Sequence, residues 1–282
     1  MTAKRILIAG YGQLGRPLGE TLSEAGHTVF GLRRRSVKPG TGVVSIQADL
    51  RNAKALHTVL PRDLDCVYII LTPDQRDEAG YRAAYLQALG NLLSALRRSE
   101  NTRARVVFVS STAVYGQTDG CWVDELSPTQ PTRFNGACLL KAEQLVAEHA
   151  SDAVRVRFGG IYGPGREGLI ARVKKAKPCQ TDPVRYTNRI HSDDCVGLLA
   201  HLGDLPDPPK VIIGVDDNPC SQCEVMDWLA IALGVDRPPR QSGGLAGRRC
   251  DNARLKASGY QLKFPSFEHG YQSVLADPRC KL

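Results

Sequence analysis

Residues 6–15 read Ile6-Leu7-Ile8-Ala9 and then Gly10-Tyr11-Gly12-Gln13-Leu14-Gly15, and a helical pattern follows at once. The apolar run is typical of a buried strand, and the glycine spacing is typical of a turn that binds a dinucleotide. Gly10 permits the tight turn, Gly12 has no Cβ to block a pyrophosphate, and Gly15 lets the helix lie close to the strand. Gln13 and Leu14 open the helix, whose free N–H groups attract phosphate. Contacts from residues 10 and 12–15 to a diphosphate are therefore predicted.

Apolar runs alternate with helical patterns through the first half of the chain. Such alternation indicates βαβ units, and runs that are apolar throughout indicate strands buried on both faces. The sequence therefore predicts an α/β fold, a doubly wound parallel sheet of the Rossmann type. The predicted strands are Ile6–Ala9, Thr28–Leu32, Val43–Ile46, Cys66–Leu71, Val106–Ser110 and Val154–Phe158, and the predicted helices are Leu14–Ala25, Ala53–Leu60, Arg82–Arg98 and Cys138–His149.

The alternation of apolar runs and helical patterns ends after Gly163-Pro164-Gly165, where the predicted segments become shorter and richer in proline and charged residues. We expect a nucleotide-binding domain over residues 1–165 and a small C-terminal substrate lobe over 166–282, interleaved with the last elements of the sheet. The expected elements of that lobe are a strand at Val211–Val215 and helices at Glu224–Leu233 and His269–Ala276.

Composition narrows the class of protein. The 282 residues are 42% hydrophobic and 23% charged, as in ordinary globular proteins, and no run approaches the ~20 apolar residues of a membrane helix. The first strand begins too early for a signal peptide, so a cytoplasmic location is expected. The net charge of +8 is diffuse and lacks interleaved aromatic residues. An anionic small molecule is therefore a better expected partner than nucleic acid or membrane.

Nine cysteines are scattered along the chain. In a protein without export signals they are expected to be reduced. Cys220 and Cys223 form a C-x-x-C pair, but a structural zinc site needs a second close pair, so no metal site is predicted.

The end of the second strand indicates which dinucleotide binds. NAD sites carry an acidic residue there, whereas this strand ends in Arg33-Arg34-Arg35, with no Asp or Glu between Glu24 and Asp49. Guanidinium groups pair with a 2′-phosphate, so NADP is predicted, with NAD as the alternative, and Arg33 or Arg34 discriminates. Further predicted contacts are Asp49 and Leu50, near the adenine, and Leu71 and Thr72, after the fourth strand; Asp49 could instead cap a helix.

Three later segments carry a family resemblance. Residues 106–116 (VVFVSSTAVYG), 157–166 (RFGGIYGPGR) and 188–194 (NRIHSDD) resemble motifs of the extended short-chain dehydrogenase/reductases, the NAD-dependent epimerase/dehydratase family, in the right order. The resemblance covers almost the whole chain and is strongest to the atypical members. It implies that Gly160 lies beside the nicotinamide. Family members often dimerise through the helices that correspond to Arg82–Arg98 and Cys138–His149, so a homodimer is an expectation by analogy.

The catalytic set of that family is only partly present. Members use a Ser or Thr, a Tyr that acts as general acid or base, and a Lys four residues after the Tyr. Ser111 matches the hydroxyl position and Lys141 the lysine, which would hold the nicotinamide ribose, but Ala137 stands where the Tyr belongs. No Tyr-x-x-x-Lys occurs in the sequence. Tyr115 and Tyr162 are candidate substitutes, with loop packing as the structural alternative for Tyr115.

Two functions follow from this pattern. The first is an NADP(H)-dependent epimerase/dehydratase-like oxidoreductase acting on a polar substrate such as a nucleotide sugar, in which Ser111 polarises the reacting oxygen. The second is a non-catalytic protein that senses NADP(H). An enzyme that had lost its activity would keep the glycine turn that binds the cofactor and lose the catalytic tyrosine.

Overall fold

The computed structural model describes residues 2–35, 42–99, 101–150, 152–278 and 280. The chain divides into two compact units, and each consists of three separate segments. Unit 1 comprises residues 1–114, 131–157 and 196–212, and unit 2 comprises residues 115–130, 158–195 and 213–282. The chain leaves unit 1 and returns to it twice, so the two units interleave along the sequence, before as well as after residue 165.

The secondary structure follows the predicted alternation. The strands are β1 (Arg5–Ala9), β2 (Thr28–Arg33), β3 (Val43–Gln47), β4 (Cys66–Ile69), β5 (Arg105–Ser111), β6 (Asp119–Val123), β7 (Val154–Phe158), β8 (Gly160–Tyr162), β9 (Cys179–Asp182), β10 (Tyr186–Thr187), β11 (Arg189–His191), β12 (Val211–Gly214), β13 (Cys220–Ser221), β14 (Arg240–Ser242) and β15 (Gly247–Cys250). The helices are α1 (Gly15–Glu24), α2 (Ala53–Val59), α3 (Glu78–Arg82), α4 (Leu89–Arg98), α5 (Phe134–His149), α6 (Gly168–Lys174), α7 (Ser192–Asp204), α8 (Gln222–Leu233), α9 (Ala253–Ala257) and α10 (Phe267–Ala276). A π-helical turn, Ala83–Ala88, joins α3 to α4.

The sheet of unit 1 has the topology that a doubly wound fold requires. Within the described residues its strand order is β12-β7-β5-β4-β1-β2-β3. From β1 the chain proceeds outward to β2 and β3, and β4 then returns to pair with the other side of β1, in parallel. All four residues of β4 are buried. The switch in direction between β1 and β4 opens a crevice at the carboxyl ends of the strands, which is where ligands bind in such sheets.

Two helices begin earlier than predicted. The helix expected at Arg82 starts at Glu78, because Asp77 caps it by accepting a hydrogen bond from Gly80 N at 2.7 Å. Helix α5 starts at Phe134, four residues before the predicted Cys138. Its first turn contains an Asn-Gly pair, which favours turns in sequence, and it has no side-chain cap. Tertiary packing of Gly136 against Ala113 overrides that local preference.

A buried ion pair ties α5 to the sheet. The Arg157 guanidinium donates to both carboxylate oxygens of Glu143, at 2.7 Å for the Nη2–Oε2 pair, and Ser110 Oγ donates to Glu143 Oε1 at 2.6 Å. Both charged side chains are almost fully buried. Breaking such a pair leaves an uncompensated charge in the interior, which destabilises a fold by about 3–5 kcal/mol. The carboxyl end of β5 is therefore held in one position against α5.

Unit 2 contains short strands and a disulfide. Its four-stranded sheet has the order β13-β10-β15-β6, and β8 with β11 and β9 with β14 form two parallel pairs. Cys179 on β9 and Cys223 on α8 form a disulfide, with their Cα atoms 5.2 Å apart. The expectation that every cysteine is reduced is wrong for this pair, because the fold brings together two residues that are 44 positions apart.

Two features of the described residues concern metals and membranes. No group of three or more His, Cys, Asp or Glu side chains is arranged to hold a metal ion. None of the helices that the structure describes combines the length and the apolar character needed to cross a membrane.

A carboxyl group is buried in unit 2 without full compensation. Asp216 is 2% exposed, its Oδ1 accepts from Asn218 N at 3.3 Å, and its Oδ2 has no hydrogen-bond partner among the described residues. Burial raises the pKa of Asp216 to about 8, although Arg189 favours the charged form. At neutral pH this side chain is therefore mostly protonated in the folded protein.

The pKa shift of Asp216 predicts a pH-dependent stability of unit 2. Between the ordinary pKa of 3.8 and about 8, the folded state holds a proton that the unfolded state has released. The free energy of unfolding therefore falls as pH rises through this window, by about 1.4 kcal/mol per pH unit at most. Urea unfolding followed by tryptophan fluorescence measures this, since Trp122 and Trp228 both lie in unit 2.

Asp216→Asn keeps the acceptor for Asn218 and cannot ionise, so the difference in stability between this variant and the wild type should widen with pH. Asp236→Asn, at an exposed position of unit 2, is the matched control and should track the wild type. A constant difference between Asp216→Asn and the wild type across the window would contradict the prediction.

Candidate functional site

Gly10 is fixed between two strands. Its φ is +100°, a region that favours glycine, and a Cβ at this position would overlap the carbonyl of Ile70. Its N–H donates to Leu32 O at 3.1 Å, while Ile70 N donates to Ala9 O at 2.8 Å. Gly10 therefore lies where the ends of β1, β2 and β4 meet, and only glycine fits there.

Gly12 and Gly15 differ in what a side chain would meet. A Cβ on Gly15 would lie 2.6 Å from Gly10 O and 3.0 Å from Ile8 Cγ2, so this glycine is needed for α1 to pack on β1. A Cβ on Gly12 would approach only Gly10 O, at 3.9 Å. Protein packing thus leaves the space beside Gly12 open, as expected where a ligand approaches the backbone.

The start of α1 suits an anion. Leu14, the N-cap residue, makes no side-chain cap, and the first turn contains no acidic residue. The first N–H groups of a helix lack intrahelical partners and carry its positive dipole end. Together with the open space at Gly12, this helix end fits the pyrophosphate of a dinucleotide.

A cleft of about 970 Å³ opens at the carboxyl ends of β1, β2, β3 and β4, within unit 1. It is lined by residues from the glycine turn, the strand ends and the helix α3 with its π-helical turn: Gly10, Tyr11, Gly12, Leu32, Arg33, Arg34, Arg35, Ala48, Asp49, Leu50, Arg51, Ile70, Leu71, Thr72, Asp74, Gln75, Ala79, Gly80, Ala83, Ala84 and Ala88. Eight predicted cofactor contacts are among them: Gly10, Gly12, Arg33, Arg34, Asp49, Leu50, Leu71 and Thr72. Gln13, Leu14, Gly15, Lys141 and Gly160 are not among the lining residues.

Tyr11 is a lining residue that the sequence did not single out. Its ring packs where Gly19 and Gly31 lack side chains, since a Cβ on either glycine would come within 2.7 Å of the ring. The ring is 5% exposed and thus joins α1 to β2 beneath the turn. Glycines at positions 19 and 31, inside a predicted helix and a predicted strand, could have indicated that a large side chain packs against both elements.

The loop after β3 is held by two sets of hydrogen bonds. The Asn91 side-chain amide donates to Leu50 O and to Arg51 O, both at 3.1 Å. The Arg51 guanidinium donates to both carboxylate oxygens of Asp49, at 2.7 Å for the Nη2–Oδ2 pair. This hydrogen bond from Arg51 is the main reason why the pKa of Asp49 lies below its usual range. The carboxylate expected near the adenine is therefore already paired with Arg51, which the sequence did not indicate.

The three arginines after β2 differ in their partners. The Arg34 guanidinium forms a two-pronged ion pair with the carboxylate of Asp74, and this hydrogen bond lowers the pKa of Asp74. Arg33 is half-buried and Arg35 is exposed. In the part of the chain that the structure describes, neither Arg33 nor Arg35 has a side-chain ion-pair partner. Arg33 is thus the partly enclosed cation available to an incoming anion.

One wall of the cleft consists of small residues from α3 and the π-helical turn. Their spacing, at residues 79, 80, 83, 84 and 88, repeats every three or four positions and places them on one helix face. The Tyr85 hydroxyl donates to Leu71 O at 3.0 Å and fixes the loop after β4 against this helix. The spacing of small residues is visible in the sequence and could have revealed the wall.

Of the predicted catalytic residues, Ser111 lies at the carboxyl end of β5 and is half-buried. Its Oγ accepts from Ala113 N at 3.2 Å, which leaves the hydroxyl hydrogen free to donate. Tyr115 belongs to unit 2 and is 1% exposed, and its hydroxyl donates to Asp124 O at 2.8 Å. Tyr162 is also buried in unit 2, stacked on Tyr271 with ring centroids 4.4 Å apart.

Lys141 lies on an exposed face of α5. Gly136 packs on Ala113, and five residues further along the helix Lys141 has rotated by about 140°, onto an exposed face. The buried face of α5 carries Leu139 and Glu143 instead. The roles carried over to Lys141 remain predictions. Gly160 is exposed in unit 2, and its predicted contact with the cofactor likewise remains a prediction.

A glycine turn at the switch point of a parallel sheet, with an uncapped helix end and an adjoining cleft, defines a Rossmann-type nucleotide-binding protein. A family model described as the NAD dependent epimerase/dehydratase family matches residues 6–188. Protein YeeZ of Escherichia coli K12 is 30% identical over 93% of this chain and 97% of its own length. The chain belongs to the NAD-dependent epimerase/dehydratase family, and the resemblance found in its motifs is confirmed.

Solved structures agree with this assignment. One from Methylobacillus flagellatus, described as a candidate NAD-dependent epimerase/dehydratase, is 34% identical, covers 98% of both chains and superposes with a TM-score of 0.81. MoeE5 in complex with UDP-glucose and NAD is 22% identical over 96% of this chain and 97% of its own, with a TM-score of 0.79. The predicted doubly wound α/β fold is confirmed.

The contrast between Gly10 and Gly12 gives a stability prediction. Gly10→Ala should lower the free energy of unfolding by at least about 2 kcal/mol, because the methyl group meets Ile70 O and the backbone is strained. Gly12→Ala should change it by less than about 0.5 kcal/mol, because its methyl group enters open space. Urea unfolding of the two variants checks this, and equal losses would show that the space beside Gly12 is not open.

Proposed function

We propose that this chain binds NADP(H) in the cleft of unit 1 and is an epimerase/dehydratase-like oxidoreductase acting on a polar substrate of the nucleotide-sugar type. One observation carries the proposal: the space beside Gly12 is left open by the protein, at an uncapped helix end. In that position the backbone would hold the pyrophosphate. Nothing in the packing of unit 1 requires a glycine at residue 12, and this supports the approach of a ligand to the backbone there.

The preference for NADP over NAD rests on charge. Arg33, half-buried and without a partner in the described residues, would pair with a 2′-phosphate at the end of β2. No Asp or Glu stands at that strand end to accept the ribose hydroxyls of NAD. NAD remains the alternative, because the description of the family names NAD and the structure of MoeE5 is a complex with NAD.

The bound cofactor would supply hydride transfer, and this chain's residues would orient the reacting groups. The Ser111 hydroxyl, whose Oγ already accepts from Ala113 N, would donate its hydrogen to the substrate oxygen that gains negative charge. The buried Glu143–Arg157 pair would hold the end of β5 and thereby Ser111 in place. Ser111 is thus proposed as a catalytic residue, and Glu143 as a positioning residue.

The general base is the unusual part of this site. No Tyr-x-x-x-Lys occurs in the sequence, and the Tyr115 hydroxyl hydrogen is committed to Asp124 O. Proton transfer by Tyr115 would first have to break that bond, so we assign the proton to water or to a group of the substrate. The nucleotide-sugar class is supported by MoeE5, a structural relative that binds UDP-glucose.

We further propose that the protein works in the cytoplasm as a homodimer. Helix α5 and the helix predicted at Arg82–Arg98, which is the π-helical turn and α4 in the structure, would supply the interface. Phe134 on α5 is 41% exposed and packs edge-on against Tyr81 of α3, with ring centroids 5.5 Å apart. The exposed ring of Phe134, supported by the half-buried ring of Tyr81, is suited to a second copy of the chain.

A second function is favoured by the missing tyrosine. A protein that keeps the cleft but lacks the acid–base residue could report the NADP(H) level to a partner without turnover. The two functions share the cofactor site and differ in whether hydride transfer occurs.

Calorimetric titration of the stripped protein tests the cofactor. NADPH should bind at least about tenfold more tightly than NADH, and Arg33→Ala should remove most of this difference, because a charge-assisted hydrogen bond is worth about 1.5–3 kcal/mol. Gly12→Ala should bind neither dinucleotide while folding normally. Arg103→Ala removes an exposed arginine that does not line the cleft, and it should bind as the wild type does. Tighter binding of NADH would overturn the NADP assignment, and binding of neither would overturn the proposed function.

Turnover separates the enzyme from the sensor. With NADP⁺ bound and UDP-glucose added, the enzyme should produce reduced nicotinamide or an epimerised sugar, measured by absorbance and NMR. Ser111→Ala should slow this reaction about a hundredfold without changing cofactor affinity, because it removes one hydrogen-bond donor to the reacting oxygen. Ser94→Ala, at an exposed position of α4, is the matched control. No product from the wild type with this or other nucleotide sugars, despite tight NADPH binding, would favour the sensor.

A further inference from the structure

An unexpected acidic residue, Asp74, lines the cleft beside Arg34. Asp74, in the loop after β4, accepts from Arg34 Nη1 at 2.6 Å and also from Arg34 Nη2, so both prongs of the guanidinium are occupied. Both residues line the cleft. The Arg34 side chain, predicted from sequence to bind a 2′-phosphate, is therefore already paired within the protein.

Asp74 also belongs to a row of alternating charges. Arg51 Nη1 lies 3.9 Å from Asp74 Oδ2, and the same guanidinium binds Asp49. The row Asp49–Arg51–Asp74–Arg34 carries no net charge. Of the described arginines that line the cleft, Arg33 and Arg35 are outside this row. The positive charge available to a phosphate is therefore smaller than the three consecutive arginines of the sequence indicate.

We infer that Asp74 determines how strongly this cleft distinguishes dinucleotides with a 2′-phosphate from those without one, by competing with that phosphate for Arg34. This inference rests on the proposed function. A 2′-phosphate carries about two negative charges and pairs with guanidinium in the same fork geometry as a carboxylate. To bind it, Arg34 must leave Asp74, and the freed carboxylate then repels the phosphate.

The exchange is feasible because the Arg34–Asp74 pair is weak. Their side chains are 51% and 49% exposed, and exposed ion pairs contribute little to stability. The guanidinium can therefore turn from one partner to the other without disturbing the fold. A buried pair such as Glu143–Arg157 could not do this.

The test uses two probes of the adenosine end, 2′,5′-ADP and 5′-ADP, titrated calorimetrically into the full chain. Asp74→Asn should bind 2′,5′-ADP about five- to tenfold more tightly than the wild type, because it removes both the competitor and its charge. The affinity for 5′-ADP should stay within about twofold, since that probe has no 2′-phosphate. Asp74→Glu, which keeps the carboxylate, should resemble the wild type.

Two further variants separate a specific effect from a general one. Asp207→Asn removes the same charge from an exposed residue of unit 1 that does not line the cleft, and it should leave both affinities unchanged. In the double variant Arg34→Ala/Asp74→Asn the gain for 2′,5′-ADP should disappear, because Asp74 acts through Arg34. If Asp74 had a purely structural role, its substitution would change the affinities for 2′,5′-ADP and 5′-ADP by the same factor.

The outcomes distinguish this inference from the function it rests on. If wild type and Asp74→Asn bind both probes with the same ratio of affinities, the role of Asp74 is overturned and the cofactor site stands. A weaker affinity of Asp74→Asn for 2′,5′-ADP likewise overturns it. If neither probe nor any dinucleotide binds to the wild type, the proposed function and this inference both fall.

Discussion

The close approach of Gly10 to the carbonyl of Ile70 is the constraint on which unit 1 depends. At this point the ends of β1, β2 and β4 come together, and the space between the backbones admits no side chain. The turn can then direct α1 across the sheet, and the start of that helix faces the crevice at the switch point. A larger residue would separate β1 from β4, and the cleft would lose its floor.

A different kind of constraint acts on β5, the strand that pairs with β4. The Glu143–Arg157 pair is buried but fully hydrogen-bonded, since Ser110 also donates to the carboxylate. Buried charges are retained only where their geometry is well satisfied, and such pairs specify an arrangement more than they stabilise it. Here the arrangement is that of α5 against β5, and the residue that follows Ser110 is Ser111, which we propose as the catalytic residue.

Much of the fold could be predicted from sequence because its signals are local. Strands apolar throughout, glycines spaced for a turn and short connections are all properties of consecutive residues, and they gave the sheet and eight residues of the cleft. The pairing of Arg34 with Asp74 joins residues 40 positions apart, and the Cys179–Cys223 disulfide joins residues further apart still. No periodicity encodes such contacts. The helix face on which Lys141 lies is likewise set by tertiary packing, at Gly136 and Glu143, and motif spacing alone does not determine it.

The residues that line the cleft have an arrangement along the chain with its own consequence. All of them lie between Gly10 and Ala88, whereas unit 1 is complete only with the segment that ends at residue 212. During synthesis on the ribosome, the residues that line the cleft thus emerge well before β5, β7 and β12 complete the sheet that supports them. Parallel strands contribute little until their neighbours are present. The residues that line the cleft therefore form one short stretch of sequence, whereas the strands that complete the supporting sheet come much later in the chain.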